Sequence, residues 1–182
     1  MLGVPDRRAP HIAAEASAAA AGLPAPRLFL GEEATEGVLR ALGPASRYLH
    51  IATHGLFRHD NPLFSAIRLG DCHLSLQDLY RLPLSAELVT LSGCSTGLSV
   101  VVGGDELMGL MRGLLFAGAH ALLVTLWDVN DQTSARFMAS FYRHLGDGGD
   151  KAAAAGKAMR ELREEFPHPY YWAPFAVVGR YW

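Results

Sequence analysis

Short apolar segments of strand length alternate along this chain with longer segments of helical character. The clearest strand candidates are residues 47–53 (RYLHIAT), 86–92 (AELVTLS) and 120–127 (HALLVTLW). Residues 105–118 between the last two predict a helix, because their apolar side chains recur mostly three and four positions apart. Strands that alternate with helices of ten or more residues predict an α/β fold with a mostly parallel sheet flanked by helices on both faces.

The same pattern extends towards both ends of the chain. Further helices are predicted at residues 11–22, 35–42, 75–82, 132–145 and 151–166, and further strands at residues 25–30, near 64–69 and at 170–179. The aromatic residues Tyr170, Tyr171 and Trp172 are assigned to edge-strand packing, because such side chains are favoured in half-buried strands. A length of 182 residues without repeats or a low-complexity linker predicts one domain over residues 1–182.

Charge and hydropathy exclude two classes of partner. Lysine and arginine number 16 against 18 acidic residues, and no basic run is present, so we expect neither nucleic acid nor an anionic membrane as a partner. The longest apolar stretches are strand-sized, well short of the roughly 20 residues of a membrane span. The N-terminus lacks a charged region followed by an apolar signal core, so the cytoplasm is the expected location.

Two polar groups follow directly after two of the predicted strands. His54 and Gly55 come after residues 47–53, and Gly93 and Cys94 come after residues 86–92. If these strands are parallel neighbours, their carboxyl ends meet at the same edge of the sheet, where ligands of such folds bind. Because neighbouring strands lie about 4.8 Å apart, an imidazole and a thiol placed there would reach the same substrate carbonyl.

This placement predicts acyl transfer by a cysteine nucleophile. Cys94 would attack as the thiolate, while His54 would act first as a base and then as the acid that protonates the leaving amine. The backbone amides of Gly55 and Cys94 are the candidate oxyanion hole. The alternative is structural, since an isolated cysteine is usually a small buried hydrophobic residue and an isolated histidine is usually satisfied in the core or exposed.

Four motifs in the same order resemble the CHAT domain, a relative of caspases and separase. They are YLHIATHG, LVTLSGCSTG, GGDELMGLMRGLLFAGAHALLVTLWDVND and HPYYWAPFAVVG, and the resemblance covers about residues 8 to 179. It implies a caspase-like sheet and a cysteine endopeptidase whose catalytic dyad is His54 and Cys94, with no metal and no cofactor. Domains of this family usually begin with further strand and helix units upstream and often follow tetratricopeptide repeats, so we expect a carboxyl-terminal part of the domain and a repeat-bearing regulatory partner.

The resemblance also implies an acidic pocket for a basic substrate residue. Asp128 and Asp131 in the WDVND segment are the candidates, because this segment follows the strand at 120–127 and would add negative charge to the same edge. An equally simple role is capping, for which Asn130 or Asp131 is suited at the start of the helix near residue 132. The glycine-bearing loop at residues 99–104 (SVVVGG) is expected to move on activation or when substrate binds.

Other functions fit the same residues less well. GCSTG matches the G-x-S-x-G motif of α/β-hydrolases, with Ser95, Asp128 or Asp131, and His168 in the expected order, but no helix is predicted directly after the serine. His54, His59, Cys72 and His73 do not have an established zinc spacing. A silent regulatory or scaffolding domain with an unused dyad is the main alternative.

Overall fold

Strands and helices alternate over most of the chain, as the sequence predicts. The computed structural model describes residues 1–7, 9–56, 61, 64–92, 105–127 and 130–182. The strands are β1 (Leu2–Gly3), β2 (Phe29–Leu30), β3 (Tyr48–Ala52), β4 (Gly55–Leu56), β5 (Ala66–Arg68), β6 (His73–Ser75), β7 (Leu88–Ser92), β8 (Ala121–Thr125) and β9 (Phe175–Gly179). The helices are α1 (Ile12–Ala21), α2 (Glu36–Leu42), α3 (Leu76–Leu79), α4 (Asp105–Phe116), α5 (Asp131–Gly146), α6 (Lys151–Glu165) and α7 (Pro169–Trp172). Within the described residues, no helix combines the length and the apolar character needed to cross a membrane.

Six of these strands form the main sheet. Their order is β2-β1-β3-β7-β8-β9. All neighbouring pairs are parallel except β8 and β9, which are antiparallel. The prediction of a mostly parallel sheet is therefore confirmed, and the parallel pairs place several strand carboxyl ends at one edge.

Helices cover both faces of this sheet. Leu49 and Ile51 of β3 point to one face, where they join a core that includes Leu39 of α2 and Leu110 of α4. Because successive strand residues point to opposite faces, His50 faces the other side, where it contacts Tyr142 of α5. The fully buried leucines and isoleucines each contribute about 1.5–3 kcal/mol of hydrophobic stabilisation.

Aromatic stacking and small residues organise the second face. Phe137 of α5 is fully buried, and its ring lies 3.5 Å, centroid to centroid, from that of Phe175 at the start of β9. Ala154 and Ala158 of α6 are also fully buried in this core. Because alanine projects only a methyl group, α6 packs closely against α5 on the outside of the sheet.

A chain of polar side chains crosses the interface between α1, the sheet and α5. The hydroxyl of Tyr142 lies 2.7 Å from Oγ1 of Thr90 and 3.2 Å from Nδ1 of His50. The other ring nitrogen of His50 lies 3.2 Å from Oε1 of Glu15 in α1, but neither atom has a hydrogen-bond partner among the described residues, so this contact is electrostatic. All four side chains are buried, and burial raises the pKa of Tyr142 well above its ordinary value.

A small antiparallel sheet is inserted between β3 and β7. Its strand order is β4-β5-β6. The strand predicted near residues 64–69 is β5, whereas β4 and β6 were not predicted, because two or three residues are too short to show an alternating pattern. The helix predicted at 75–82 is only the single turn α3, which begins with a capping box formed by Ser75 and Asp78.

Only the second half of the last predicted strand is a strand in the structure. Residues 170–179 were assigned to it, but Tyr170, Tyr171 and Trp172 belong to the helical turn α7, and β9 begins at Phe175. The assignment of these aromatic residues to an edge strand is therefore wrong. Pro169 occupies the first helical position, where its fixed φ favours a helical turn.

A charged cluster joins the exposed sides of α5 and α6. Glu161 accepts hydrogen bonds from the Ser140 hydroxyl at 2.5 Å and from Arg143 at 2.7 Å, and its carboxylate contacts His144 at 2.7 Å. These contacts, the Ser140 hydrogen bond first among them, lower the pKa of Glu161 to about 2. The carboxylate therefore stabilises the folded chain above its ordinary pKa of 4.5, and this contribution disappears as the pH falls towards 2.

Glu161→Gln is expected to lower the free energy of unfolding at pH 7 by about 1 kcal/mol. The effect is modest because the Glu161 side chain is 44% exposed, and water screens its ion pairs. The difference from the native chain should shrink as the pH is lowered from 4.5, which urea unfolding at several pH values measures. Glu164→Gln, at an exposed position on the same helix, is the control, and an equal effect of both changes would contradict the role of the cluster.

Candidate functional site

The carboxyl ends of β3 and β7 lie side by side. Ala52, the last residue of β3, is paired with Ser92, the last residue of β7, and the Thr53 amide donates to the Ser92 carbonyl at 2.8 Å. The predicted alignment of these two strand ends is therefore confirmed, and His54 follows directly at this edge. Outside the described residues lie Cys94, Ser95, Asp128, His59 and residues 99–104.

The ring of His54 contacts a carboxylate. Its Nε2 lies 3.2 Å from Oδ1 of Asp6. Asp6 belongs to the segment between β1 and α1, and β1 neighbours β3 on the side away from β7. The two side chains are 18% and 26% exposed, so this contact is partly shielded from water, which strengthens it.

Asp6 is itself held by two further groups. Its Oδ1 accepts the Ala9 amide at 3.1 Å, and its Oδ2 lies 3.2 Å from the Arg68 guanidinium. Sequence reasoning missed Asp6, because the two-residue strand β1 has no periodic pattern that would mark its carboxyl end. The observable signal is an aspartate close to the start of a helix, which by itself indicates only a turn or a cap.

The backbone around His54 is fixed by the small sheet. The Arg68 amide donates to the His54 carbonyl at 3.0 Å, and the Thr53 hydroxyl donates to the Arg68 carbonyl at 2.6 Å. Gly55, the candidate oxyanion-hole residue, is paired with Ile67 at the start of β4. The antiparallel hairpin thus attaches His54 to β5 and limits the freedom of its main chain.

Acidic and amide side chains also follow β8 at this edge. Asn130 caps α5, since its side-chain oxygen accepts the amides of Gln132 at 3.0 Å and Thr133 at 3.3 Å. Asp131 instead accepts the amide of His11, the residue before α1, at 2.8 Å. Of the two capping candidates, Asn130 is the residue that caps the helix. Asp131 ties the start of α1 to the start of α5.

Cys72 has an environment that disfavours its thiolate. Burial raises its pKa to about 11, with further contributions from Asp71 and from Glu36, whose carboxylate lies 3.6 Å from the sulfur. A thiolate is the nucleophilic form of cysteine, so Cys72 is a poor nucleophile at neutral pH. The two cysteines therefore need separate treatment in any experiment on thiol reactivity.

Metal coordination is not visible in the described part of the chain. No group of three or more His, Cys, Asp or Glu side chains there is arranged to hold a metal ion. His54 contacts Asp6 and Cys72 contacts Glu36, and each of these is a pair rather than a set of ligands. Structural zinc sites use four ligands and catalytic sites three.

His168, the base of the alternative serine mechanism, has a structural contact. Its Nδ1 accepts the Tyr170 amide at 3.2 Å and so caps the helical turn α7. This contact places the proton of the neutral ring on Nε2. Ser95 and Asp128 of that arrangement fall within the undescribed segments, and Asp131, its other candidate acid, accepts the His11 amide.

Comparison with known proteins places these features in a family. The family model described as "CHAT domain" matches residues 2–180. Tetratricopeptide repeat protein 28 from Mus musculus is 39% identical over 113 residues, which cover 61% of this chain and 5% of the mouse protein. Separin from Emericella nidulans is 41% identical over 56 residues, which cover 31% of this chain and 3% of the fungal protein. The chain thus spans only a small part of the curated relatives it matches.

A solved structure supports the fold. The crystal structure of the Arg-specific cysteine proteinase gingipain R superposes with a TM-score of 0.61 at 14% sequence identity. The match covers 84% of this chain and 36% of that chain. At this level of identity the likeness concerns the fold alone, and it confirms the predicted caspase-like architecture.

Proposed function

Because the chain belongs to the CHAT domain family, we propose that it is a cysteine endopeptidase-like domain with His54 and Cys94 as its catalytic dyad. The observation that carries the proposal is the pairing of Ala52 with Ser92 at the ends of β3 and β7. His54 follows two residues after Ala52, and Cys94 follows two residues after Ser92. Neighbouring parallel strands therefore lead directly into both members of the dyad.

The dyad divides peptide cleavage into two acyl transfers. His54 takes the thiol proton of Cys94, and the thiolate attacks the scissile carbonyl carbon. When the tetrahedral intermediate collapses, His54 gives the proton to the leaving amine, and a thioester remains on Cys94. Water, deprotonated by His54, then attacks the thioester, releasing the carboxylic acid product and the free thiol. No metal or cofactor takes part in this scheme.

The oxyanion of each tetrahedral intermediate needs hydrogen-bond donors. The amides of Gly55 and Cys94 are our candidates, because each belongs to a residue that directly follows or forms the dyad. The pairing of Gly55 with Ile67 supports this role by holding the Gly55 backbone in a defined position. Donors that are oriented before the reaction stabilise the developing charge without reorganisation.

A basic residue before the scissile bond is the proposed specificity. Asp128 and Asp131 both come after β8, the strand next to β7, and so follow a third strand at the same edge of the sheet. One oxygen of Asp131 accepts the His11 amide, but an ionised carboxylate has about four acceptor positions, which leaves capacity for a guanidinium or ammonium group. Charge-assisted pairing would then select Arg or Lys.

A protein or peptide is the proposed substrate, and a repeat-bearing region is the proposed regulatory partner. The mouse relative is named for tetratricopeptide repeats, and this chain matches only 5% of its length. A similar domain therefore occurs there within a much longer polypeptide. Repeat arrays present extended concave surfaces that bind other proteins, so a substrate or regulator could be held near the domain.

Labelling with a peptidyl-arginine chloromethyl ketone tests the proposal. We expect the probe to alkylate Cys94 at least about 100-fold faster than Cys72 at pH 7.5, as read by peptide mass spectrometry. Because the pKa of the Cys72 thiol is raised to about 11, only a very small fraction of it is ionised at that pH. His54→Ala should slow the labelling of Cys94 and leave that of Cys72 unchanged.

The matching leucine probe is the control for specificity. Slower labelling by the leucine probe supports the acidic pocket, and Asp128→Asn and Asp131→Asn should each reduce the preference for arginine. Equal labelling of both cysteines, or labelling of Cys94 that ignores His54, would contradict the dyad. A folded chain in which Cys94 is not labelled would favour the silent regulatory or scaffolding alternative.

A further inference from the structure

The carboxylate of Asp6 connects three parts of the fold at the position of His54. It contacts Nε2 of His54 at 3.2 Å, the Arg68 guanidinium at 3.2 Å and the Ala9 amide at 3.1 Å. These partners belong to the residues after β3, to β5 and to the segment before α1. A half-buried aspartate with donors on both oxygens has a fixed orientation, which it passes on to the imidazole.

We propose that Asp6 is a positioning residue that sets the tautomer and the orientation of His54, and that Arg68 holds Asp6 in place for this role. The inference rests on the proposed function, since it assigns Asp6 to the same site. It adds a third residue to the two that the family resemblance implies.

The tautomer follows from the chemistry of the contact. An ionised carboxylate only accepts hydrogen bonds, so Nε2 of His54 must carry a hydrogen to bond with Asp6. In the neutral ring the lone pair is then on Nδ1, and Nδ1 is the atom that takes the proton of Cys94. Without Asp6 both tautomers become accessible, and part of the enzyme population would hold the wrong nitrogen towards the thiol.

The contact between Arg68 and Asp6 allows an orienting role of Asp6 to be distinguished from a purely electrostatic one. Its guanidinium lies against Oδ2 of Asp6, on the oxygen that does not contact His54. The positive charge of Arg68 offsets the negative charge of Asp6, so the field that Asp6 exerts on the imidazole is reduced. What remains is geometric, namely one acceptor oxygen held towards Nε2. A neutral acceptor in the same place should therefore substitute for the carboxylate.

Asparagine provides that neutral acceptor, but it needs a matching change at Arg68. In Asp6→Asn the side-chain oxygen still accepts from His54, whereas the amide nitrogen faces the Arg68 donors and repels them. In the double variant Asp6→Asn with Arg68→Gln, the glutamine oxygen accepts from that amide nitrogen. The pair restores the hydrogen bonds without either charge, so rescue by the double variant is specific to an orienting role.

The kinetic test measures kcat and KM for an arginine reporter peptide. We expect Asp6→Ala to lower kcat about 100-fold with KM changed by less than about threefold, because the reacting groups are misplaced while substrate contacts remain. Asp6→Asn should lower kcat by a similar factor, and the double variant should recover to within about tenfold of the native value. Asp147→Ala, an exposed change at the far end of α5, is the control for loss of a charge.

A spectroscopic test does not depend on turnover. Proton–nitrogen correlation spectra of ¹⁵N-histidine-labelled protein, in a Cys94→Ala background, should show Nε2 protonated in native His54 and in the double variant, and mixed tautomers in Asp6→Ala. The His54 signal is identified by its loss in His54→Gln. If the native chain has no peptidase activity but the tautomer responds in this way, the proposed function fails and the positioning role stands. An unchanged tautomer in Asp6→Ala, or a double variant as slow as Asp6→Asn, would overturn the positioning role.

Discussion

Cleavage of fluorogenic peptides with Arg or Lys before the reporter is expected to fall at least about a thousandfold when Cys94 is replaced by alanine. The reason is that no thioester forms without the thiolate. His54→Ala should cause a similar loss, because the same imidazole takes the thiol proton and returns it to the leaving amine. The combined variant Cys94→Ala with His54→Ala should be about as inactive as each single variant, since both residues act in one step. The measurement is kcat/KM with Arg, Lys, Asp and Leu reporters.

Cys72, the other cysteine of the chain, provides a matched control for the nucleophile. Cys72→Ala should keep activity within about twofold, because Cys72 lies between β5 and β6 and its thiol is poorly ionised. Ser95→Ala addresses the alternative hydrolase motif directly. Activity that survives Cys94→Ala but disappears in Ser95→Ala would replace the cysteine mechanism with a serine one. Cleavage that survives all four changes would indicate a contaminating peptidase.

The free energy of unfolding is expected to fall by about 3–5 kcal/mol when Glu15 is replaced by alanine. Glu15 and His50 are 2% and 0% exposed, and their side chains face each other across α1 and β3. Among the described residues neither Oε1 of Glu15 nor Nε2 of His50 has a hydrogen-bond partner, so the electrostatic contact is what compensates their burial. Removing one partner leaves the other buried and uncompensated.

A double-mutant cycle separates this coupling from general loss of packing. Urea unfolding of Glu15→Leu, His50→Leu and the combined variant should show that the combined change costs less than the sum of the two single changes. Two apolar side chains can replace a buried polar pair at little cost, whereas each single change leaves one polar group alone. Glu33→Ala, at an exposed position, is the control and should change stability by less than about 0.5 kcal/mol. Additive effects of the two leucine changes would contradict the coupling.

The elements that the sequence predicts best are those with long regular patterns. The helix predicted at 11–22 is observed as Ile12–Ala21, and the one predicted at 151–166 is observed as Lys151–Glu165. The central strands β3 and β7 were predicted from short apolar segments, and both are almost wholly buried. Periodicity reports burial over many residues, so it identifies elements that pack along their whole length.

Short elements were missed because their conformation depends on distant partners. β1 is two residues long and exists because its backbone pairs with both β2 and β3. The turn α7 is stabilised from outside as well, since the Trp127 indole donates to the Tyr170 carbonyl at 3.1 Å. No window of sequence shows such contacts, which join residues far apart in the chain.

The residues of the candidate site also fall into those that the sequence predicts and those that it misses. His54 was predicted because it directly follows a recognisable strand, and the pairing of β3 with β7 explains why that reasoning succeeds. Asp6 reaches His54 across 48 positions of sequence, and Asp131 reaches His11 across 120. Both contacts are made by the segment between β1 and α1. Only the topology that places β1 beside β3 brings this segment to the site.

The two edges of the main sheet differ in what they offer to another polypeptide. β2 is only two residues long and follows Pro24 and Pro26, so it has little backbone with which a foreign strand could pair. β9 at the opposite edge has five residues, all apolar apart from its terminal glycine, and no described strand pairs with its outer side. Self-association through strand addition in concentrated solution would therefore begin at β9, where a lysine introduced at an outward-facing position would suppress it.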